Sequence, residues 1–489
     1  MSGDDIRDLL VIGGGINGAA VARDAAGRGL SVTLVEAGDL AAGTSSASTK
    51  LIHGGLRYLE FGALGLVRKA LKEREVILAA APHISWPLPF LLPLVPGGRP
   101  AWQLRLGLFL YDRLARRRAF PPAAHVRLRE QPAAAAFRRD LVSAFRFWDG
   151  WTDDARLVVL NARDAAARGA EIRLRDAAVA ARRVDGSWEV TLASGQVRAA
   201  RNLVNCTGPW AGEVARDLLD VASPPRLRLV QGAHLVTRRV NRGADAWMLQ
   251  QPDGRIVFVL PYEREFSLIG TTETQVSEPG GIGCTGAEEA YLLAAVNSVL
   301  ARPLTADDIV HRFAGVRPLV LEPGKGERET TRDWKLVRHD AQTLTVIGGK
   351  LTTYRLLAED VLKAVAPASR RWTSGAPLPG GDIPRAKGST PDRDFDLWLA
   401  ALVAANPDYD PDIVRRLGRL WGTEAEPMLA EGLGTSLGGL FEAELRHMMD
   451  REWAREPEDV LWRRTRLGLH LDAAAKARIA AAMGAKVSA

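Results

Sequence analysis

The chain has 489 residues, 47% hydrophobic and 25% charged, with a formal net charge of +7. This length allows two to four domains around sizeable cores, and the composition is that of an ordinary globular protein, not a disordered or fibrous one. Two cysteines, Cys206 and Cys284, argue against a disulfide framework and for a reducing compartment, and the lack of a CxxC or Cys/His cluster leaves no metal site to expect.

In chain order, the first segment, MSGDDIRD, is acidic and lacks the basic-then-apolar order of a secretory signal. Nor does any apolar run reach the about 18 residues needed to span a bilayer. A cytoplasmic location is therefore expected. Leu9 to Ile12 read as a short strand, Asn17 to Gly29 as a helix and Ser31 to Val35 as a second strand ending on Glu36. Gly13, Gly15 and Gly18 give the G-x-G-x-x-G spacing of a dinucleotide-binding βαβ unit. Gly13 permits the tight turn, Gly15 lets backbone approach a pyrophosphate at the helix N-terminus, and Gly18 lets helix and strand pack closely. Glu36 stands where an acid can bond an adenosine ribose hydroxyl. Strand, helix, second strand and acid in register make this more specific than the glycine pattern alone. Next, Thr44 to Tyr58, TSSASTKLIHGGLRY, is dense in hydroxyls and glycine. Thr44, Ser45 and Ser46 can bond a pyrophosphate or ribityl chain, and Gly54 and Gly55 allow backbone to approach a flat ring. A loop this glycine-rich beside a nucleotide site reads as functional.

Trp86 to Pro96 is too proline-rich for a helix and reads as an extended apolar segment, in a cap domain or touching lipid. From Arg99 to Arg118 six arginines and one acid alternate with large apolar residues. That stretch is basic and amphipathic; it suits either an anionic membrane surface or a core-packed helix with a solvated arginine face. No nucleic-acid-binding module accompanies the positive charge, so nucleic acid is not an expected partner. Trp151 to Arg168 reads as a helix, Glu171 to Leu174 and Trp188 to Leu192 as strands, and Arg201 to Gly212 as a strand entering a glycine turn. From Leu229 to Ile347 the pattern is mostly β, as in a substrate sheet. Gly348 opens a glycine turn into a helix, Gly375 to Gly381 reads as a linker, and 382–489 reads as all-helical, with Trp398, Trp421, Trp453 and Trp462 as core anchors. The expected fold is α/β: a discontinuous Rossmann-like dinucleotide-binding domain (1–80, 150–215 and 335–375), a β-rich substrate or cap domain (81–149 and 216–334) and an all-helical C-terminal domain (382–489).

The blocks GGGINGAAVARDAAGRGLSV, TSSASTKLIHGGLRYLE, DDARLVVLNA, NCTGPWAG, GVRPL and GGKLTTYR, in this order, resemble the FAD-dependent glycerol-3-phosphate dehydrogenase family, as does the helical tail. The resemblance covers nearly the whole chain. It implies FAD as cofactor, sn-glycerol 3-phosphate as substrate, a membrane quinone as electron acceptor, peripheral attachment to the cytoplasmic membrane and a homodimer. It implies further flavin-site residues in the same blocks: Asn17, Lys50, Thr207, Gly208, Trp210 and Leu351. The alternatives are an oxidase that passes electrons to oxygen, an amino-acid oxidase, and a non-catalytic FAD-binding protein.

A phosphate dianion needs cations. Arg57, Arg317, Arg332 and Lys350 lie in family-like blocks, and an arginine fork matches phosphate. Arg57 and Arg317 stand out because each sits among glycine and apolar residues. Removing a hydride from C2 and a proton from its hydroxyl calls for a base. His234, on a strand of the substrate sheet, is expected as base or substrate ligand; His53 is expected to shape the flavin site, and Tyr58 to bond the substrate. Gly348, Gly349 and Lys350 precede a helix, where backbone amides and the helix dipole can stabilise charge on reduced flavin, with Thr352 and Thr353 as further donors. Cys206 is expected to be structural.

Overall fold

The computed structural model describes residues 6–240, 243–320 and 333–487. Two sheets divide the first 350 residues. The parallel spine of the first runs Thr343–Ile347, Val197–Asn205, Ile6–Ile12, Val32–Val35, Glu171–Arg173. Lys335–Arg338 adds an antiparallel edge, and the hairpin Ala178–Val184/Ser187–Leu192 pairs antiparallel with Val197–Asn205. Leu9, Leu10, Val11, Val32, Leu34 and Val35 are all buried, as continuous apolar strands covered on both faces must be. Helices Ile16–Gly27, Asp154–Ala167 and Tyr354–Val365 pack against one another beside this sheet. The first is rich in alanine, so its backbone approaches its neighbours closely, and the second starts where the Asp153 carboxylate accepts from the Arg156 amide.

The second sheet has ten strands in the order Thr274–Val276, Leu227–Arg238, Phe266–Gly270, Ile256–Tyr262, Ala246–Gln250, Ser85–Pro93, Ser143–Thr152, Leu51–Ile52. Ile309–Val320 also pairs with Leu227–Arg238, and Ala124–Arg127 with Ser143–Thr152. The proline-rich segment is extended, as expected, but it is a sheet strand and not a lipid contact; Phe90, Leu91 and Leu92 are buried. Pro87, Pro89 and Pro93 share one parity, so their missing donors fall along one edge of the strand. Register sets Ser85 to Pro93 against Thr152 to Ala144. The helices Leu64–Ala80 and Gly286–Asn297 escaped the sequence reading; the second packs Leu292, Ala295 and Val296 under this sheet. Its signal is local. Thr285 and Glu288 form a reciprocal capping box, a start mark independent of hydrophobic period.

Beyond 382 the chain is helical: Pro391–Ala405, Pro411–Trp421, Ala425–Glu431, Glu442–Arg451 and Ala473–Val487, with a π-helical turn at Asp459–Arg464. Trp421 is fully buried in that core with Val414, Leu417 and Met448. The other three tryptophans depart from expectation. Trp398 and Trp462 lie at the margin of this core, and Trp453 packs on the core of the first sheet. Nor is Gly375–Gly381 a loose tether. Leu378 is buried and its amide donates to the Ala80 carbonyl at 2.8 Å. The arginine-rich stretch holds the helix Ala101–Arg113, which buries Leu104, Leu108 and Tyr111 and presents Trp102, Leu106, Phe109 and Leu110 to solvent. Among the described residues no helix is long and apolar enough to cross a membrane.

Candidate active site

A cavity of about 760 Å³ runs from the first strand–helix turn across to the second sheet. A volume in that range suits a ligand far larger than a three-carbon metabolite. At its first end Gly13, with φ +113°, turns where a Cβ would stand 2.6 Å from the Cys206 carbonyl oxygen. A Cβ on Gly18 would stand 1.9 Å from the Gly13 carbonyl oxygen, so Gly18 sits behind the cavity and fixes how closely helix and strand pack. The Ile16 amide donates to Ser45 Oγ at 3.0 Å, tying the helix N-terminus to the hydroxyl-rich loop. Glu36 accepts from the Gly14 amide at 2.5 Å and the Gly38 amide at 2.8 Å, and with Gly15 and Asn17 it lines the cavity. Asn17 also bonds across to the turn at 348–349, through Nδ2 to the Gly348 carbonyl at 3.0 Å. Gly348 and Gly349 have φ of +72° and +98°, a double left-handed step that glycine makes without strain.

The loop 44–58 forms one long wall. Thr44, Ser45, His53, Gly55, Arg57 and Tyr58 line the cavity, and Thr207, Gly208, Trp210, Gly349, Lys350, Leu351 and Thr352 face it from other segments. Thr44 donates its hydroxyl to the Val316 carbonyl at 2.6 Å, which docks this loop on the second sheet. Gly55, at φ +77°, brings Tyr58 back so tightly that a Cβ would lie 2.3 Å from its ring. Lys350 Nζ lies 3.9 Å from the centre of that ring, a cation–π contact. His53 is bound through its amide to Thr352 Oγ1 at 3.1 Å.

Several expected site residues stand elsewhere. Gly54 does not line the cavity; Leu71 and the Tyr111 ring fill the space beside it, and its amide donates to Tyr111 Oη at 2.8 Å. Ser46 turns its hydroxyl to the Gly43 carbonyl. Lys50 is buried behind the wall, with Nζ 2.7 Å from Asp154 Oδ1, so it braces the loop instead of touching a ligand. Thr353 is buried beneath the helix start. His234 is the main correction. It is 1% exposed, stacked on Phe313 and packed against Gly270, with Nε2 2.9 Å from Thr49 Oγ1, and it does not reach the cavity. Burial pushes its pKa down to about 3, helped by the charges of Arg317 and Lys50, so the ring stays neutral. A strand histidine and a cavity histidine look alike in sequence, because a one-residue difference in parity sets the face. Arg332 lies outside the described residues. Cys206 is buried, which raises its thiol pKa, as fits a structural residue.

The wall on the second sheet is cationic: Arg255 and Arg317 line it with Thr271 and Glu273, and Arg57 and Lys350 line the same cavity. Arg317 donates to Thr271 Oγ1 at 3.1 Å and lies 3.9 Å from Glu273; a Cβ at Gly232 would stand 2.6 Å from its guanidinium. Arg255 pairs with Asp253 at 2.6 Å and stacks over Tyr291. Sequence reading missed Arg255, Thr271 and Glu273. Arg255 carries a usable signal, a charge placed just after an Asp-Gly turn at the start of an apolar strand. Thr271 and Glu273 carry none outside the fold.

An adenine-dinucleotide-sized cavity with a glycine turn, a helix N-terminus and a ribose-ready carboxylate at one end fits FAD. The family described as FAD dependent oxidoreductase matches residues 8–355, and the C-terminal domain of alpha-glycerophosphate oxidase matches 371–488. The chain is 44% identical to D-erythritol 1-phosphate dehydrogenase of Brucella abortus, over 98% of this chain and 97% of that one. It is 42% identical to the aerobic glycerol-3-phosphate dehydrogenase of Escherichia coli, over 97% of each. The fold superposes on the glycerol-3-phosphate dehydrogenase of Bacillus halodurans, solved with FAD, at a TM-score of 0.73 and 26% identity, covering 99% and 95% of the two chains. The chain is thus an FAD-dependent oxidoreductase, a member of that family in the branch that carries the C-terminal domain of alpha-glycerophosphate oxidase.

Proposed function

We propose that this protein oxidises sn-glycerol 3-phosphate to dihydroxyacetone phosphate and, docked on an anionic membrane surface, passes the electrons to a membrane quinone. The observation that carries this reading is one cavity lined both by the glycine turn and helix start of the first strand and by Arg57, Arg255, Arg317 and Lys350. Bound FAD supplies a two-electron acceptor. Arg317, held by Thr271 and Glu273, binds the substrate phosphate together with Arg57; Tyr58 orients the substrate hydroxyls. As hydride leaves C2, the hydroxyl proton passes to His53, the histidine that reaches the cavity among the described residues. His234 acts at one remove, by holding Thr49 in the cavity wall. Lys350 and the amides of its turn would hold positive charge against bound FAD, which favours its taking up electrons.

The membrane half of the proposal rests on the helix Ala101–Arg113. Trp102 is 69% and Leu106 52% exposed, with Phe109, Leu110 and Arg113 alongside. An apolar strip edged by arginines matches the acyl–headgroup boundary of an anionic bilayer. Sedimentation with anionic vesicles is expected to carry down the wild type and to leave Trp102→Glu/Leu106→Glu in solution. A homodimer is proposed on the family resemblance, and its mass in solution tests it.

The deciding experiment is anaerobic addition of glycerol 3-phosphate to the FAD-loaded protein. Bleaching of the visible flavin band, with none on glycerol, is expected; bleaching by glycine or a D-amino acid and not by glycerol 3-phosphate overturns the reading. Stoichiometric peroxide without quinone selects an oxidase. The 44% identity to a D-erythritol 1-phosphate dehydrogenase favours one second reading, a longer polyol phosphate. The ratio of kcat/KM for the two phosphates separates them.

A further inference from the structure

The reaction leaves the C-terminal helical domain without a task. Its buried charges converge on the stretch that walls the cofactor cavity. Asp39 lies in the turn whose Ala37, Ala42 and Gly43 line the cavity, and the Ala41 amide bonds the Gly14 carbonyl at 3.1 Å. Arg464, fully buried, donates to both Asp39 oxygens at 2.7 and 2.8 Å; Arg463 adds a third bond at 2.5 Å. Two residues on, Arg466, 4% exposed and at φ +64°, donates to Asp153 at 2.7 Å and Asp154 at 3.1 Å. Asp154 in turn accepts from Ser48 Oγ at 2.7 Å and Lys50 Nζ at 2.7 Å, and Lys50 donates to the Ser46 carbonyl at 3.1 Å. Ser48 and Thr49 line the cavity. Residues 37–50 are therefore gripped at both ends by arginines two positions apart on another domain.

Joining two domains does not require this chemistry. Buried ion pairs cost nearly as much in desolvation as they return, and apolar packing joins domains as well. What such pairs add is direction: a guanidinium fork fixes the carboxylate it meets and the backbone behind it. We propose that the C-terminal helical domain is a cofactor clamp, in which Arg464 and Arg466 are positioning residues that hold segment 37–50 in its FAD-binding form. The proposal rests on FAD binding and not on the identity of the substrate.

A third pair supplies the control. Arg163 donates two bonds to Glu424 at 2.6 and 2.8 Å, which join the same two domains without involving 37–50, Arg464 or Arg466. The test measures the FAD dissociation constant, from flavin fluorescence on release, and the melting temperature of the apoprotein. Arg464→Met and Arg466→Met are expected to weaken FAD about tenfold or more, the size of an ordinary coupling between sites. Arg163→Met is expected to lower the melting temperature while leaving FAD affinity within about twofold, and Arg466→Lys to restore part of the loss. Equal weakening of FAD by Arg163→Met, or unchanged affinity in Arg466→Met, overturns the clamp. If the methionine variants do not fold, hydrogen exchange on the wild type decides. Because coupling is reciprocal, FAD is expected to slow exchange at 452–469 as well as at 37–50; slowing confined to the N-terminal segments overturns the proposal.

Discussion

The two ends of the cavity are built on different principles. The dinucleotide end is made of backbone: Gly13, Gly15, the helix N-terminus and Glu36 lie within 24 residues and are bonded mostly to main-chain amides. The cationic end is made of side chains, and Arg57, Arg255, Arg317 and Lys350 come from four segments spread over nearly 300 residues. Backbone geometry serves any adenine dinucleotide, so the first end is general. Side chains brought together from a distance define one substrate, so the second end is specific. Damage to the first should therefore cost folding and cofactor together, whereas damage to the second should cost turnover alone.

The largest effect expected is at Gly18. Gly18→Val forces a side chain into the Gly13 carbonyl, and overpacking with backbone displacement costs about 3 kcal/mol or more. The purified protein should lack FAD and melt well below the wild type; normal FAD content would show that the first end tolerates rearrangement. At the other end, Arg317→Ala should lower kcat/KM for glycerol 3-phosphate by roughly 100- to 1000-fold, about 3–4 kcal/mol for a lost charge-assisted fork. FAD content and melting temperature should stay near wild type, because the Arg317 side chain is about a third exposed and lines the cavity. A variant that binds FAD and is reduced as readily as wild type would remove Arg317 from the phosphate site.

The two histidines sharpen the comparison further. His53→Gln should lower kcat by about 100-fold or more, as loss of the proton acceptor, whereas His234→Gln should lower kcat far less, through Thr49. The opposite pattern would return the base to the strand. The smallest effect is on stability in acid. His83 and His234 are held near pKa 3 by burial and by neighbouring arginines, against an ordinary value of 6.5. Between those values the unfolded chain binds more protons than the folded one, so stability is full above pH 6.5 and falls as pH drops toward 3. Melting curves across that range should show the fall, and replacing both histidines with glutamine should flatten it.

How much the sequence revealed follows the same division. The strand–turn–helix–strand frame from Gly13 to Glu36 could be read, since it depends on neighbours within one βαβ unit. Arg57, Arg317 and Lys350 were found because glycine or apolar company marked them off from surface charges. Lys50, Gly54 and His234 were assigned to the cavity and stand behind it. Their blocks are right, but each side chain's direction depends on packing: Asp154 draws Lys50 inward, Tyr111 occupies the space beside Gly54, and strand parity turns His234 onto Phe313.

The sequence by itself determined the dinucleotide unit, the split first sheet, the β-rich insert and the helical tail, because glycine turns and hydrophobic period act over short distances along the chain, and the family resemblance implied FAD. Tertiary structure alone decided which side chains face the ligand and what the tail grips. Arg464 meets Asp39 across 425 residues and Arg466 meets Asp153 across 313. No local pattern encodes such a meeting; buried charges find partners only where two domains exclude water between them.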